Sequence, residues 1–157
     1  MRRATELAGP LIKRWEGLHK KIGAKVAPYL CPANVWTIGW GSTKYPDGRA
    51  VTKDDPPLSP ETCDRIFDAD LPRYMAQTLK ASPVLAAHEE KLAAVTSFVY
   101  NLGAGRYRAS TLRRRVDAQD WGGAAQEFSK WTRGGGRVLP GLVARRAQER
   151  ALFERGR

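Results

Sequence analysis

The sequence predicts an α+β fold in which a small antiparallel β-sheet lobe lies between a first helix and a larger helical lobe. Two patterns carry this prediction. β-Branched and aromatic residues separated by turn residues occupy positions 29–58, and helical periodicities fill most of the chain after them. We expect one domain of 157 residues, with the sheet lobe at about 17–58 and the helical lobe at about 59–157 together with the N-terminal helix.

The individual elements follow from apolar spacing and from residues that start or stop helices. Ser followed by Pro is typical of a helix start, and Gly is typical of a helix end. The predicted elements are a helix at 4–16 interrupted by Gly9-Pro10, a basic loop or extended segment at 18–28, two or three strands at 29–58, a helix from Ser59-Pro60 towards Lys80 with a kink at Pro72, a helix from Ser82-Pro83 to Gly103, short helices at 110–117 and 120–131, a glycine loop, and an Arg-rich helix at 142–155.

The net charge of +11 is unevenly distributed along the chain. Residues 106–157 carry 13 Lys and Arg against 5 Asp and Glu, whereas residues 1–105 carry 14 against 11. This asymmetry indicates a polyanionic partner, either nucleic acid or an anionic envelope polymer or membrane surface. A basic face that serves only solubility is the alternative.

Several classes of protein are not expected. No apolar run approaches the ~18 residues of a transmembrane helix, and the basic N-terminus lacks the apolar stretch of a signal peptide. Two cysteines, Cys31 and Cys63, do not form a disulfide framework, and we expect both to be reduced. The two His and two Cys have no ligand-like spacing, so neither a metal nor a cofactor is expected.

Glu16 is a candidate general acid because it follows Trp15 at the end of the first predicted helix. A carboxyl group that loses solvation beside an indole keeps its proton more readily, as a general acid near neutral pH must. A solvated surface glutamate is the alternative.

No Asp or Glu occurs between Glu16 and Asp47, so a second carboxylate is not supplied by the adjoining strand. The local polar candidates are Cys31, Thr37, Ser42 and His19, the last of which an ordinary surface position explains as well.

The segments WEG at 15–17 and YLCPANVWTIGWGST at 29–43 resemble the T4-type phage lysozymes, the muramidase endolysins of glycoside hydrolase family 24. That family carries a Glu, then an Asp or Cys, then a Thr, with the last two separated by five residues, as Cys31 and Thr37 are here. The resemblance continues in the family's order through AAVTSFVYNLGAG at 93–105, STLRRRV at 110–116 and GLVARRAQERALF at 141–153.

The resemblance implies a lysozyme-like fold with a cleft between the lobes. It also implies an endolysin that hydrolyses, with inversion, the β-1,4 bond between N-acetylmuramic acid and N-acetylglucosamine. Glu16 corresponds to the proton donor, Thr37 to a residue that holds the attacking water, and Cys31 to the second, often acidic, position. Substrate contacts are implied for Gly41, Tyr100, Asn101 and Thr111.

Two features depart from the family pattern. Fourteen residues separate Glu16 from Cys31, more than is usual in the family, so a longer basic loop is expected near the cleft. Ser42 stands where the family commonly has a His, which puts in doubt any role for an imidazole there.

Three other functions remain open at this point: a lytic transglycosylase, a basic nucleic-acid-binding module, and a non-catalytic wall-binding protein.

As an endolysin, the chain is expected to be a monomer that accumulates in the bacterial host cytoplasm and then acts on the cell wall in the periplasm. Its expected partners are peptidoglycan strands, anionic envelope polymers that bind the Arg-rich last third, and a separate holin-type membrane protein on which release depends.

Overall fold

A computed structural model describes residues 1–156 and divides into two compact units. The first, which we call the helical unit, consists of Met1–Trp15 and Tyr74–Arg157, and the second, the hairpin unit, is Glu16–Arg73. The sheet lobe predicted at 17–58 falls within the hairpin unit, which extends further to include the first part of a long helix. No helix among residues 1–156 is both long enough and apolar enough to cross a membrane.

Seven α-helices account for most of the described residues. They are α1 (Arg2–Glu16), α2 (Pro60–Ala81), α3 (Glu89–Leu102), α4 (Ala104–Ala109), α5 (Thr111–Asp117), α6 (Trp121–Glu127) and α7 (Pro140–Arg155), with 3₁₀ turns at Pro83–Ala87 and Phe128–Lys130.

The helical unit is built around α3, which is buried continuously from Lys91 to Tyr100. The ring of Phe98 meets those of Tyr107, Phe128 and Trp131 edge-on, with centroids 5.4–6.2 Å apart. Such edge-to-face contacts add to the stabilisation that burial itself supplies. The prediction that this apolar segment forms the centre of the core is therefore confirmed.

The hairpin unit contains very short antiparallel strands. These are β1 (Lys21–Ile22) paired with β2 (Lys25–Val26), and β3 (Tyr29–Leu30) paired with β4 (Trp36–Thr37); a third pair, β5 (Arg133–Gly134) with β6 (Arg137–Val138), belongs to the helical unit. Because each strand is only two residues long, the turns between the strands determine the shape of this unit. The segment predicted as a basic loop or extended chain is thus the β1–β2 hairpin, in which Gly23 takes the left-handed conformation (φ 59°) that the tight turn requires.

The structure differs from the predicted elements at three other places. Helix α1 continues through Pro10, because the apolar face that includes Ala8 and Ile12 is fully buried. The start at Ser82-Pro83 leads only into a 3₁₀ turn, since the backbone of His88 is not helical (φ −133°, ψ 80°) and α3 begins after it. The predicted glycine loop is the β5–β6 hairpin, and α4 was not predicted.

Candidate active site

Glu16 is the last residue of α1, and the chain leaves the helix at Gly17, whose φ of 65° suits glycine. The His19 ring then folds back, and its Nε2 donates a hydrogen bond of 2.6 Å to the Glu16 carbonyl oxygen. A donor at this position satisfies one of the carbonyls that a helix end leaves unpaired. The same ring meets Tyr29 edge-on at 5.0 Å, so His19 connects the end of α1 to strand β3.

The β3–β4 hairpin places three polar side chains on one face. Tyr29 is directly opposite Thr37 in the register, and the amide of Cys31 donates to the Val35 carbonyl oxygen at 3.0 Å. The connecting turn closes where the Asn34 amide donates to the Cys31 carbonyl oxygen at 2.8 Å, with Asn34 left-handed (φ 59°). Since alternate residues of a strand share a face, Tyr29, Cys31 and Thr37 lie on the same side.

Electrostatics show that Glu16 belongs to the same group. Burial, together with the negative charges of Glu16 and Cys31, raises the pKa of Tyr29 to about 12. A charge acts on a neighbouring group in this way only when the two lie close together. Glu16 and Cys31 therefore both lie close enough to Tyr29 to act on its hydroxyl, and Thr37 lies directly opposite Tyr29 in the register.

The Cys31 thiol is half-exposed, and its surroundings favour the thiolate. Desolvation raises its pKa, but hydrogen bonds from the backbone of Val35 and Ala33 and from the Thr37 side chain outweigh that effect, so the pKa lies below its ordinary value. Thr37 is itself buried, and its hydroxyl lies 2.9 Å from the Val35 carbonyl oxygen, to which it can donate. The hydroxyl is thus held in place beside the thiol.

Gly41 lies in a tight loop that is closed by paired hydrogen bonds between Ile38 and Ser42. The indole of Trp40 in this loop donates to Asp64 of α2 at 2.8 Å, which ties the loop to the helix. Gly41 has a φ of 98°, a conformation that favours glycine. The Ser42 hydroxyl is buried and, among the described residues, has no hydrogen-bond partner, so Ser42 contributes to the loop through its backbone.

The other three predicted substrate contacts belong to the helical unit. Tyr100 is almost buried, with its ring 4.5 Å from the ring of Tyr74. Asn101 follows it on α3 and accepts a hydrogen bond of 2.8 Å from the guanidinium of Arg146. Thr111 is the first residue of α5, and its hydroxyl accepts one of 2.7 Å from Arg114.

A buried charge cluster holds Arg146 in place. Glu149 is fully buried and is paired with Arg146 at 2.8 Å and with Arg145 at 3.2 Å. The Ser97 hydroxyl donates to the same carboxylate at 2.7 Å. Burial raises the pKa of Glu149, while the two guanidinium groups oppose that shift. The amide of Asn101 is therefore oriented by an arginine that is itself fixed.

Sequence reasoning did not identify Tyr29 and gave His19 no definite role. Tyr29 could have been found from strand alternation, since it lies two residues before Cys31 in a predicted strand. The contact of His19 with the end of α1 depends on the turn at Gly17, which has no comparable signal. Within residues 1–156, no three His, Cys, Asp or Glu side chains are grouped as metal ligands would be.

Comparison with known proteins identifies the family. The family model named Phage lysozyme matches residues 13–149. The chain belongs to the phage lysozyme family.

Individual relatives agree with this assignment. The endolysin of Acyrthosiphon pisum secondary endosymbiont phage 1 is 33% identical over 149 residues, which cover 92% of each chain. The SAR-endolysin of Enterobacteria phage PA-2 is 32% identical over 151 residues, covering 95% of this chain and 87% of that protein. Among solved structures, the muramidase domain of SpmX from Asticaccaulis excentricus superposes with a TM-score of 0.72 at 26% identity, covering 98% of this chain and 95% of that one.

These comparisons confirm the family resemblance and the α+β, lysozyme-like fold class that the sequence predicted. Phage lysozymes are glycoside hydrolases, so the prediction of an enzyme is confirmed as well. The roles of individual residues are a separate question, to which the local geometry contributes.

Proposed function

We propose that this phage lysozyme cleaves the β-1,4 bond between N-acetylmuramic acid and N-acetylglucosamine in peptidoglycan, with Glu16 as the proton donor and inversion at the anomeric carbon. Membership of the family supports peptidoglycan lysis. The observation that carries the residue assignment is geometric: the His19 ring contacts both the Glu16 carbonyl oxygen and the Tyr29 ring, and Tyr29 lies directly opposite Thr37 in the register.

In this mechanism the Glu16 carboxyl group gives its proton to the glycosidic oxygen as the bond from that oxygen to the anomeric carbon breaks. Water attacks the anomeric carbon from the opposite face, and its oxygen forms the new bond. The Thr37 hydroxyl and the Cys31 sulfur hold this water, and the thiolate that the lowered pKa of Cys31 favours can accept the proton that the water loses. Inversion requires the two groups to be ~6.5–9.5 Å apart, which leaves room for the water.

Contacts with the sugar are proposed for Gly41, Tyr100, Asn101 and Thr111. Gly41 has no side chain, so a sugar can approach the backbone of its loop closely. Asn101 uses its carbonyl oxygen to accept from Arg146, which leaves its amide N–H groups to donate to an acetamido or hydroxyl oxygen of the glycan. Tyr100 and Thr111 supply an aromatic ring and a hydroxyl.

The decisive experiment compares wall lysis by wild type and Glu16→Gln, with Glu6→Gln as the matched control on the same helix. Glu6 is exposed and forms an ion pair with the exposed Arg2, so its substitution leaves lysis unchanged. Loss of a general acid reduces the rate by about 100-fold or more. Lysis by Glu16→Gln at the wild-type rate would contradict the assignment.

Product masses separate hydrolysis from the lytic transglycosylase alternative. Hydrolysis adds one water and gives reducing muramic acid ends, whereas a transglycosylase gives anhydro ends. Cys31→Ser then tests the thiol: the hydroxyl can still hold a water, but it does not become an anion near neutral pH. A rate that falls in Cys31→Ser with unchanged substrate binding assigns proton acceptance to the sulfur.

The partners of the Arg-rich last third are also proposed rather than established. Exposed arginines of this segment attract anionic envelope polymers; they are Arg106, Arg108, Arg114, Arg115, Arg133, Arg137 and Arg155. Sedimentation with purified walls tests this, because charge-driven binding weakens as salt rises from ~0.05 to 0.5 M. Unchanged sedimentation would contradict it. A monomer, accumulation in the host cytoplasm and dependence on a holin-type membrane protein complete the proposal.

A further inference from the structure

The hairpin unit contains a pocket that is lined by none of the proposed catalytic residues. Its volume is about 450 Å³. We call it the Tyr45 pocket, and the residues of its lining that matter here are Tyr45, Asp47, Arg49, Leu58, Arg65 and Ile66. The pocket combines an aromatic and aliphatic wall with charged groups of both signs.

One wall of the pocket is held rigidly. The Tyr45 hydroxyl donates to Asp55 at 2.9 Å, and Arg49 binds the other oxygen of that carboxylate, also at 2.9 Å. The amide of Thr52 donates to Asp55 as well, and the Arg49 guanidinium stacks over the Tyr45 ring at 4.2 Å. Asp55 is thus saturated by its own neighbours, and the Tyr45 ring is fixed before any ligand arrives, which reduces the entropy lost on binding.

Two charged groups at the pocket form no ion pair with any of residues 1–156. Arg65 is exposed, and its guanidinium makes one hydrogen bond, 2.9 Å long, to the Thr62 hydroxyl. Asp47 accepts a hydrogen bond of 2.9 Å from the backbone amide of Arg49. Within residues 1–156, no side chain of opposite charge lies within ion-pair distance of either group. A guanidinium fork and a carboxylate are therefore both available to a ligand.

The pocket chemistry matches a particular kind of ligand. The guanidinium of Arg65 can bind a carboxylate through two parallel hydrogen bonds, and Asp47 can accept from an ammonium group. Tyr45, Leu58 and Ile66 offer apolar surface to the aliphatic chain that carries those groups. A purely anionic polymer lacks the ammonium group and is repelled by Asp47, so the combination favours a zwitterionic amino-acid end.

We propose that the Tyr45 pocket binds the free amino-acid end of the diamino acid in the peptidoglycan stem peptide. This inference rests on the proposed function, since it assigns a second part of the same wall polymer to the protein. The glycan strand carries no ammonium group next to a carboxylate, whereas an uncrosslinked stem diamino acid carries both at the end of an aliphatic chain. The pocket thereby selects wall that retains its stem peptides.

Direct binding is measured by NMR titration of the ¹⁵N-labelled full chain with a stem tripeptide whose third residue is meso-diaminopimelate. The Arg65 side-chain Nε–H signal shifts on binding. Arg65→Gln and Asp47→Asn each weaken binding by about fivefold, as loss of one exposed charged contact does. Asn at position 47 keeps the side-chain oxygen that caps the turn, so the fold is preserved.

The matched controls are Lys53→Gln and Asp54→Asn, which remove the same charges at exposed positions that do not line the pocket. They leave the affinity unchanged. An Arg65 signal that does not move, or equal weakening by the control variants, overturns the proposal.

A second readout keeps this proposal separate from the catalytic one. Arg65→Gln raises the KM for walls that carry stem peptides and leaves unchanged the KM for glycan strands from which an amidase has removed them. Equal KM changes on both substrates overturn the inference while the muramidase assignment stands. Conversely, lysis by Glu16→Gln at the wild-type rate contradicts the catalytic assignment without affecting the titration.

Discussion

Two arginine-bound carboxylates, one in each unit, show how differently the two parts of the chain are stabilised. Glu149 in the helical unit is fully buried and is bound by Arg145, Arg146 and a serine hydroxyl. Asp55 in the hairpin unit is only partly buried and is bound by Arg49, a tyrosine hydroxyl and a backbone amide. Burial raises the pKa of Glu149, whereas hydrogen bonds, led by that of the Thr52 amide, lower the pKa of Asp55 to about 2.

The difference follows from what each unit can bury. The helical unit surrounds its charges with apolar side chains, so its stability depends on each buried group keeping its partners. The hairpin unit has strands of two residues, which bury little, and its shape depends on turn residues and on hydrogen bonds from side chains to the backbone. The largest losses of stability are therefore expected from substitutions of buried charged groups in the first unit, and smaller losses from substitutions of loop and turn residues in the second.

The largest effect is expected from Glu149→Gln. This change leaves two buried guanidinium groups without their shared charge, and breaking a buried pair in this way lowers the free energy of unfolding by about 3–5 kcal/mol. Urea denaturation followed by circular dichroism measures the change.

The same helix supplies the control, Glu154→Gln. Glu154 forms an exposed pair with Arg150 at 2.9 Å, and such a pair contributes about 0–1 kcal/mol. If the two substitutions lowered the stability equally, the buried cluster would not be the feature that distinguishes the helical unit.

This cluster also shows where sequence reasoning reached its limit. The spacing of Arg145 and Arg146 from Glu149 is that of helical neighbours, so their pairing was open to prediction. Their burial was not, because a run of charged residues in a helix is typical of a solvent-exposed face. Part of the positive charge that the sequence suggested for a polyanionic partner is therefore enclosed in the protein.

In the hairpin unit, the sequence could not predict how the candidate active-site residues are arranged. The roles of Glu16, Cys31 and Thr37 came from a family resemblance, and the proximity of Cys31 and Thr37 depends on the register that pairs Tyr29 with Thr37. That register is fixed by the turn at Asn34, which the sequence CPAN is consistent with but does not dictate. Helix types and the central core helix could be predicted because they rest on periodicity, whereas two-residue strands carry almost none.

An intermediate effect is expected from Gly39→Ala in the loop that carries Gly41. Gly39 is left-handed (φ 61°), and a Cβ atom there would lie 3.0 Å from the Cβ of Cys63 on α2. Backbone strain and the close contact together should lower the free energy of unfolding by about 3 kcal/mol. Gly48→Ala is the control, since Gly48 is also left-handed (φ 89°) but has open space around it, and should lose only about 1 kcal/mol. Equal losses in the two variants would show that the loop does not pack on α2 as described.

The smallest effect, and the one that most directly tests the hydrogen bonds around Asp55, is expected from Asp55→Asn. The pKa of Asp55 is about 2 in the folded protein against an ordinary 3.8, so the carboxylate stabilises the fold at pH values above the ordinary pKa, and this contribution is lost as the pH falls from about 4 to about 2. The Tm of the wild type should therefore fall more steeply over that range than the Tm of Asp55→Asn, while Asp54→Asn retains the wild-type slope. Thermal unfolding at a series of pH values measures this. Identical slopes in wild type and Asp55→Asn would mean that the hydrogen bonds to Asp55 do not stabilise the folded protein relative to the unfolded chain. The Tyr45 ring would then lack the fixed position that binding in the Tyr45 pocket requires.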